Sequence, residues 1–442
     1  MVENLFVESN DAAHEPTSDN QLNADFPLGI EGFSYGDLHR PGRLRALAEA
    51  FYAEVGREDA ALHASLSEYI ASRGENLKGT KAESELLIAA APHLSRFVAR
   101  LFRIEPERER LAESIRAQDP VFQFKQFVQR RATKSFPAER AAAVDLEAAD
   151  AALEALRHDV FADTLGDDRE LSVARMAARL LEWEKNYPKE GVRQEEAWSD
   201  ERARTAGAAA ERLRGTGAWV ELAAWWAAED ESDGDGTRTF VRASLRLLEA
   251  WSAAHALRPD ARERVRGWVS FRFPHPLNYE HLVQLERPEA DLPELMRGLD
   301  KNLRRRDGFK LTDQRYTQRE VLEEVHYCLY CHERDKDSCS KGLKERDGSL
   351  KKNPLGIVLQ GCPLDEKISE MHVLQRDGDS IGALAVVVID NPMCPGTGHR
   401  ICNDCMKSCI FQKQEPVNIP QAETGVLTDV LSLPFGVEIY GL

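Results

Sequence analysis

The chain has 442 residues, enough for two or three domains, because single cores stop growing at roughly 250–300 residues. Its formal net charge is −17, from 75 acidic against 58 basic residues, which argues against a nucleic-acid surface and against an anionic membrane face. The opening MVENLFVESNDAAHEP lacks the apolar stretch of a signal peptide, and no run approaches the ~18 apolar residues of a membrane span, so a cytoplasmic protein without a span is expected.

Residues 1–36 mix Asn, Asp, Ser, Pro and Glu with few apolar positions, a composition that predicts disorder. From 37 to 320 the pattern predicts a helical domain of several packed helices. Leu44, Leu47, Phe51 and Val55, and later Val173, Met176 and Leu180, recur three and four residues apart. Alanine-rich stretches at 141–155 and 208–228 add helix propensity, and turn signals at Asn186-Tyr187-Pro188 and 233–236 separate helices. Trp219, Trp225 and Trp226 read as core, and Glu229–Gly236 as a solvated linker, since no register gives a calcium loop its Glu at position twelve. Val269, Phe271 and Phe273 alternate with Ser270 and Arg272, which predicts a short extended segment at a domain junction. Arg304, Arg305 and Arg306 read as a solvated basic run.

All eight cysteines lie between positions 328 and 409, and the first 327 residues contain none. A disulfide framework belongs to small secreted domains, so ligation of metal or cluster is the better reading. The first group is Cys328-Leu-Tyr-Cys331, Cys339 and Cys362; the second is Cys394, Cys402, Cys405 and Cys409. A two-residue gap lets one turn of backbone present both sulfurs to a single centre, which serves zinc and iron–sulfur sites alike. Cys362 and Cys394 are each followed by proline, and gaps of two and three close the run, a combination that favours clusters. Cys405 and Cys409, four apart, would share a helix face with a centre at each end, so each can serve a different one. Zinc remains the alternative, as two Cys₄ sites with His326, His332, His372 or His399 as substitutes. No histidine is singled out as catalytic.

The strings Gly361-Cys362-Pro363, Asp390-Asn391-Pro392-Met393-Cys394-Pro395, Cys405-Met-Lys-Ser-Cys409 and Glu415-Pro-Val-Asn-Ile419 together resemble the N-terminal iron–sulfur domain of the glutamate synthase small subunit and dihydropyrimidine dehydrogenase. The likeness covers roughly 321–440. It implies an all-α fold: an α-helical ferredoxin domain over 321–420 with two [4Fe-4S] clusters, then a tail at 421–442. It also implies that Ala383–Ile389, which would read as a strand on β-branched content, is helical. Lys341–Leu359 is an insertion relative to that pattern, and Gln421 is the nearest analogue of a glutamine that completes one cluster in some relatives.

On that resemblance the expected ligands are Cys328, Cys331, Cys339 and Cys409 for one cluster and Cys362, Cys394, Cys402 and Cys405 for the other. The function expected is an electron-transfer subunit of an NAD(P)H-linked flavin oxidoreductase, with no complete active site of its own. The alternatives are a zinc-stabilised interaction protein and an iron–sulfur redox sensor. Neither Gly215-Thr-Gly217 nor Gly396-Thr-Gly398 completes a G-x-G-x-x-G fingerprint, so FAD and NAD(P)H are assigned to a partner flavoprotein or a missing module. Its dock is expected on Glu415–Leu442, through Pro416, Val417, Ile419, Leu431, Leu433, Phe435 and Ile439.

Overall fold

The computed structural model describes residues 26–186, 208, 236–300, 303, 308–309, 313–398 and 401–442. The fold is nearly all-α, as expected: among the described residues the only sheet is a two-residue antiparallel pair, β1 (Leu285–Glu286) with β2 (Arg297–Gly298). The chain forms two compact units, one from residues 1–116 with 274–442, the other from 117–273.

The first unit opens with α1 (Pro41–Glu58), α2 (Ala60–Ser72), α3 (Thr80–Phe102) and α4 (Glu105–Arg116). Pro41 opens α1, where its missing N–H costs nothing, and the Asp59 side chain caps α2 by accepting from Leu62 N at 2.9 Å. The expected apolar stripe lies on α1, with Leu47 and Val55 buried. Disorder expected over 26–36 is not found: Leu28 is buried in the core and Leu28 N donates to Phe33 O at 2.9 Å. The rest of that segment, 1–25, lies outside the described residues.

In the second unit α5 (Asp119–Phe127) runs through a π-turn at Val128–Ala132, followed by α6 (Ala138–Ala142), α7 (Leu146–Asp159), α8 (Arg169–Asn186) and α9 (Gly236–Leu257). Val173, Met176 and Leu180 are fully buried on α8, as their spacing predicts. Ala174, Ala177, Ala250, Ala253 and Ala254 are fully buried too, so the alanines let helices approach closely as well as favouring helix. Trp251 on α9 donates its indole N–H to Asp150 Oδ1 at 2.6 Å, and Arg131 donates to Glu249 at 2.7 Å and to Glu184 at 2.9 Å. Trp219, Trp225, Trp226, the 229–235 linker and Arg304–Arg306 lie outside the described residues.

The extended segment expected near Trp268 is instead a turn of 3₁₀ helix, Val269–Phe271. The alternation fails because Ser270 is buried as deeply as its apolar neighbours: its N–H and hydroxyl both donate to Glu170 Oε1, at 2.8 and 2.6 Å. The boundary between the units does fall here, at Phe273/Pro274.

The chain then completes the first unit with α10 (Gln318–Tyr327), α11 (Ser338–Lys341), α12 (Ile368–Arg376), α13 (Ser380–Asp390), α14 (Cys394–Thr397), α15 (Asp404–Ser408), α16 (Ile419–Ser432) and α17 (Gly436–Gly441). One core joins its two chain segments: Phe97, Leu101 and Phe102 of α3 pack with Leu374, Ile381, Leu384, Val426 and Val430. Helix α13 contains the run Ala383–Ile389. Its β-branched residues are helical because Asp379 caps the start, accepting from Gly382 N at 3.2 Å, and α3, α12 and α16 cover it on several sides.

Candidate functional site

The cysteines hang on short elements whose ends are fixed locally. Thr317 and Glu320 form a capping box at the start of α10, and Cys328 caps its end. Tyr330, at φ +47°, turns the chain so that Cys331 opens a one-turn helix, 331–334. Asp337 starts α11, which carries Cys339. Cys362 N donates to Cys339 O at 2.7 Å, and Gly361 N to Ser408 Oγ at 2.9 Å, which stitches the middle of the cysteine segment to α15.

Gly361 has φ +87°, and a Cβ there would stand 2.3 Å from Ser340 O and 2.5 Å from Gly342 N. Gly361→Ala is therefore expected to destabilise the unit by about 2 kcal/mol or more. A thermal melt checks this, and an unchanged midpoint would mean that the segment around Cys362 is not held as described.

By the charges that act on them, the thiols fall into two neighbourhoods at either side of one packed cluster. Burial pushes the Cys339 thiol well above its ordinary value, and negative charge on Cys409, Asp337, Cys328 and Cys331 acts in the same direction. Burial likewise raises Cys328 to about 12, with Cys409 and Cys331 adding to it, and raises Cys331 with Cys409 adding. The second neighbourhood centres on Cys405, also raised well above the ordinary value by burial, then by Cys362, Glu366 and Cys402. Cys362 is pushed to about 11 by burial, with Glu366 and Cys402 adding, and Cys394 to about 12 by burial, with Glu423 and Glu366 adding. Buried thiols crowded in this way resist ionisation unless a positive centre compensates them.

Cys405 and Cys409 belong to different neighbourhoods, but not by sharing a helix face. Cys405 lies within α15, whereas Cys409 is its C-cap with extended backbone (φ −55°, ψ 144°). The helix ends between them, and that termination separates their directions.

The first set is partly covered, for Cys339 and Cys409 are buried and Cys328 and Cys331 half-buried. Cys339 and Cys409 share one buried cluster with Cys362 and Cys405 of the second set and with Ile368, Val417 and Ile419, and the Tyr327 ring stacks on Phe411 at 4.4 Å beside them. The second reaches solvent, for Cys402 is exposed. It also holds buried acids that the sequence did not announce. Burial raises Glu423 to about 8, and Glu366 in the same direction. Asn391 Nδ2 donates to Glu423 Oε1 at 3.1 Å, and Glu366 Oε1 has no hydrogen-bond partner among the described residues. Asp337, raised to about 7 by burial, is their counterpart beside the first set. Asp337, two residues before Cys339, and Glu366, four after Cys362, lie close enough in sequence to be suspected, whereas Glu423 does not.

Of the histidines considered as zinc ligands, His332 is engaged by another side chain and two are held neutral by burial. His332 pairs through Nδ1 with Ser369 Oγ, and burial pushes His326 down to about 4 and His372 to about 3. His399 lies outside the described residues. Gln421 is engaged elsewhere, donating to Gln314 O at 3.0 Å and accepting from Tyr316 N at 3.1 Å. Among the described residues no three His, Cys, Asp or Glu side chains are placed to hold one metal ion.

The tail does not present the apolar dock expected of it. Val417, Ile419, Leu433 and Ile439 are buried in the unit's own cores and Phe435 packs with the last two, leaving Leu431, Val437 and Leu442 exposed. Helix α16 closes over α10, α13 and α14 and α17 packs on α16, so the segment spends most of its apolar side on the unit itself.

Comparison with known proteins matches residues 28–103 to a family described as the RP005 N-terminal alpha-helical domain. A stretch of 48 residues is 62% identical to Uncharacterized protein RP006 of Rickettsia prowazekii (strain Madrid E), covering 11% of this chain and 7% of that protein. Over 343 residues the chain is 26% identical to Uncharacterized protein RP005 of the same organism, covering 75% of this chain and 93% of that protein. No solved structure matches. No helix among the described residues is long and apolar enough to cross a membrane.

These matches overturn the likeness to the glutamate synthase small subunit and dihydropyrimidine dehydrogenase. The family found is a helical domain at the other end of the chain, and neither it nor the relatives carries an iron–sulfur, ferredoxin, metal-binding, electron-transfer or oxidoreductase description. With no ligand group poised for metal among the described residues, kinship supplies no ground for those labels. The cysteine motifs misled because short Cys-Pro and two-residue-gap strings are set by local ligand geometry and recur across unrelated chains.

Proposed function

We propose that the cysteine-bearing unit is an electron-transfer module whose eight thiols take up two [4Fe-4S] clusters. The observation that supports this is the sorting of the cysteines. Segments separated by tens of residues bring the cysteines together around one packed cluster, where Cys328, Cys331 and Cys409 act on Cys339, Cys362 and Cys402 act on Cys405, and Glu366 acts on both Cys394 and Cys405. Thiols of a mere structural core have no reason to collect in sets, since each raises the cost of ionising the others.

Cys328, Cys331, Cys339 and Cys409 would hold one cluster, and Cys362, Cys394, Cys402 and Cys405 the other. Bound there, the clusters would supply one-electron transfer. The chain's own residues set the surroundings. Tyr327, Phe411 and Ile368 cover Cys339 and Cys409, while the exposure of Cys402 opens the second set to solvent and to a partner. Hydride chemistry falls to a separate FAD- and NAD(P)H-binding flavoprotein, and the reducing cytoplasm suits eight unpaired thiols.

Anaerobically purified protein is expected to carry about eight irons and eight labile sulfides per chain, with a broad visible absorption that bleaches on reduction. Stoichiometric zinc in a folded, iron-free preparation would instead establish the structural-zinc alternative.

A further inference from the structure

Between Cys339 and Cys362 the chain leaves the unit and returns as a small three-segment antiparallel arm, residues 343–359. Three bonds tie the segments: Leu343 N to Leu359 O at 2.9 Å, Lys351 N to Leu343 O at 2.8 Å, and Leu359 N to Lys351 O at 2.9 Å. Gly348 and Gly356, at φ +88° and +78°, make the two reversals, and the Asn353 side chain fixes the second by accepting from Leu355 N and Ile357 N at 3.0 and 2.9 Å. The arm is thus formed before anything binds, which lowers the entropy lost on docking. Its base lies where a cysteine of one set hydrogen-bonds a cysteine of the other, and the buried Leu359 anchors it.

The arm's surface is unlike the rest of the chain. Residues 341–360 carry five basic and two acidic side chains in a protein of net charge −17. Lys341 pairs with Asp365 at 3.1 Å and Lys351 with Glu345 at 3.8 Å, while Lys344, Arg346 and Lys352 are exposed and make no ion pair among the described residues. Leu350, Leu355, Ile357 and Val358 are exposed among them. Lysine on a sheet edge is a common guard against edge-to-edge pairing. A guard does not need four exposed aliphatic side chains, which themselves invite association, whereas a docking surface needs an apolar centre with a charged rim.

We infer that this arm docks a protein partner that presents an acidic rim around an apolar patch. Charge complementarity selects that partner: the arm's cations stand on a chain that is acidic in sum, so an acidic protein is steered to the arm. The inference rests on the electron-transfer reading only for the purpose of docking, since it places a redox partner at the junction of the two cysteine sets.

The test uses the full chain and a fluorescently labelled flavodoxin, an acidic protein with an apolar flavin edge, as the probe. Anisotropy is expected to show saturable binding that weakens with salt, and K344E/R346E/K352E is expected to weaken it at least tenfold, as is L355S/I357S. All these side chains are exposed, so thermal melts should match the unaltered chain. Binding needs no cluster in this chain, and iron and sulfide content is measured separately, so an empty cysteine site and an inert arm are distinguishable. No flavodoxin binding, or equal binding by all variants, overturns the inference. Binding of DNA or phosphatidylserine vesicles that the same charge reversals abolish, without flavodoxin binding, overturns it in favour of another polyanion.

Discussion

Replacing His372 by leucine is expected to protect the protein against acid, with an advantage over the unaltered chain that grows as pH falls from about 6.5 to about 3. His372 lies on α12 with no exposed surface, neither ring nitrogen has a hydrogen-bond partner among the described residues, and burial alone pushes it down to about 3. In the unfolded chain it protonates near the ordinary pKa of about 6.5. Between those values the unfolded state binds a proton that the folded state refuses, so stability falls with falling pH, by roughly 1.4 kcal/mol per unit at most. Over the whole window the loss is of the order of several kcal/mol, a large part of a typical folding free energy of about 5–15 kcal/mol.

Buried acids act with the opposite sign. Glu423, Asp337 and Asp429 are raised by burial to about 8, 7 and 6, so their folded forms take up protons first and gain stability as pH falls through those values toward the ordinary carboxylate range. They cancel in the difference between two proteins that differ only at position 372. Denaturant melts of both at pH 7, 5.5 and 4 supply that difference, and a gap that stays constant with pH would mean that His372 is charged in the folded state.

Much of the helical pattern was legible because the physics is local. The stripe Val173, Met176, Leu180 is buried as its spacing requires, and alanine-rich 141–155 falls on α6 and α7. Local pattern failed where a partner distant in sequence decides the outcome. Ser270 looked like the exposed member of an alternating pair until Glu170, a hundred residues away, accepted both its hydrogens. The apolar tail looked like a docking surface because α10, α13 and α14, which it covers, cannot be seen from the tail itself. Nor does composition show that α3 shares a core with α13 and α16, so that the cysteine-bearing unit begins near residue 26.

The candidate site divides in the same way. Clustering of all eight cysteines in the last third of the chain was plain, and a split between Cys405 and Cys409 could be argued from their spacing. Asp337 and Glu366 stand near cysteines in sequence, but their burial, and the presence of Glu423 beside Glu366, could not be argued, for an acidic residue becomes buried next to a thiol only through the packing of separate elements. The family likeness failed for a related reason: strings that record ligand geometry carry little information about descent, whereas the match over 28–103 lies in helices with no ligand chemistry at all.

Single cysteine substitutions are expected to remove half of the cofactor content, and pairs of them to reveal which thiols act together. Cys409→Ser should leave about four irons of eight, and so should Cys405→Ser, because each deprives one four-thiolate centre of a ligand. Cys328→Ser combined with Cys409→Ser should lose no more than either alone, since both thiols belong to the neighbourhood that includes Cys339. Cys405→Ser combined with Cys409→Ser should lose nearly everything, although these two are closer in sequence, because α15 ends between them. Non-additivity within a set and additivity across sets follow from a shared centre and are not expected of independent structural thiols. Far-UV circular dichroism must show full helix content in each variant, so that lost iron is not lost fold. If Cys328→Ser with Cys409→Ser removes all the iron while Cys405→Ser with Cys409→Ser spares half, the thiols are sorted by sequence proximity and the crossed arrangement is wrong.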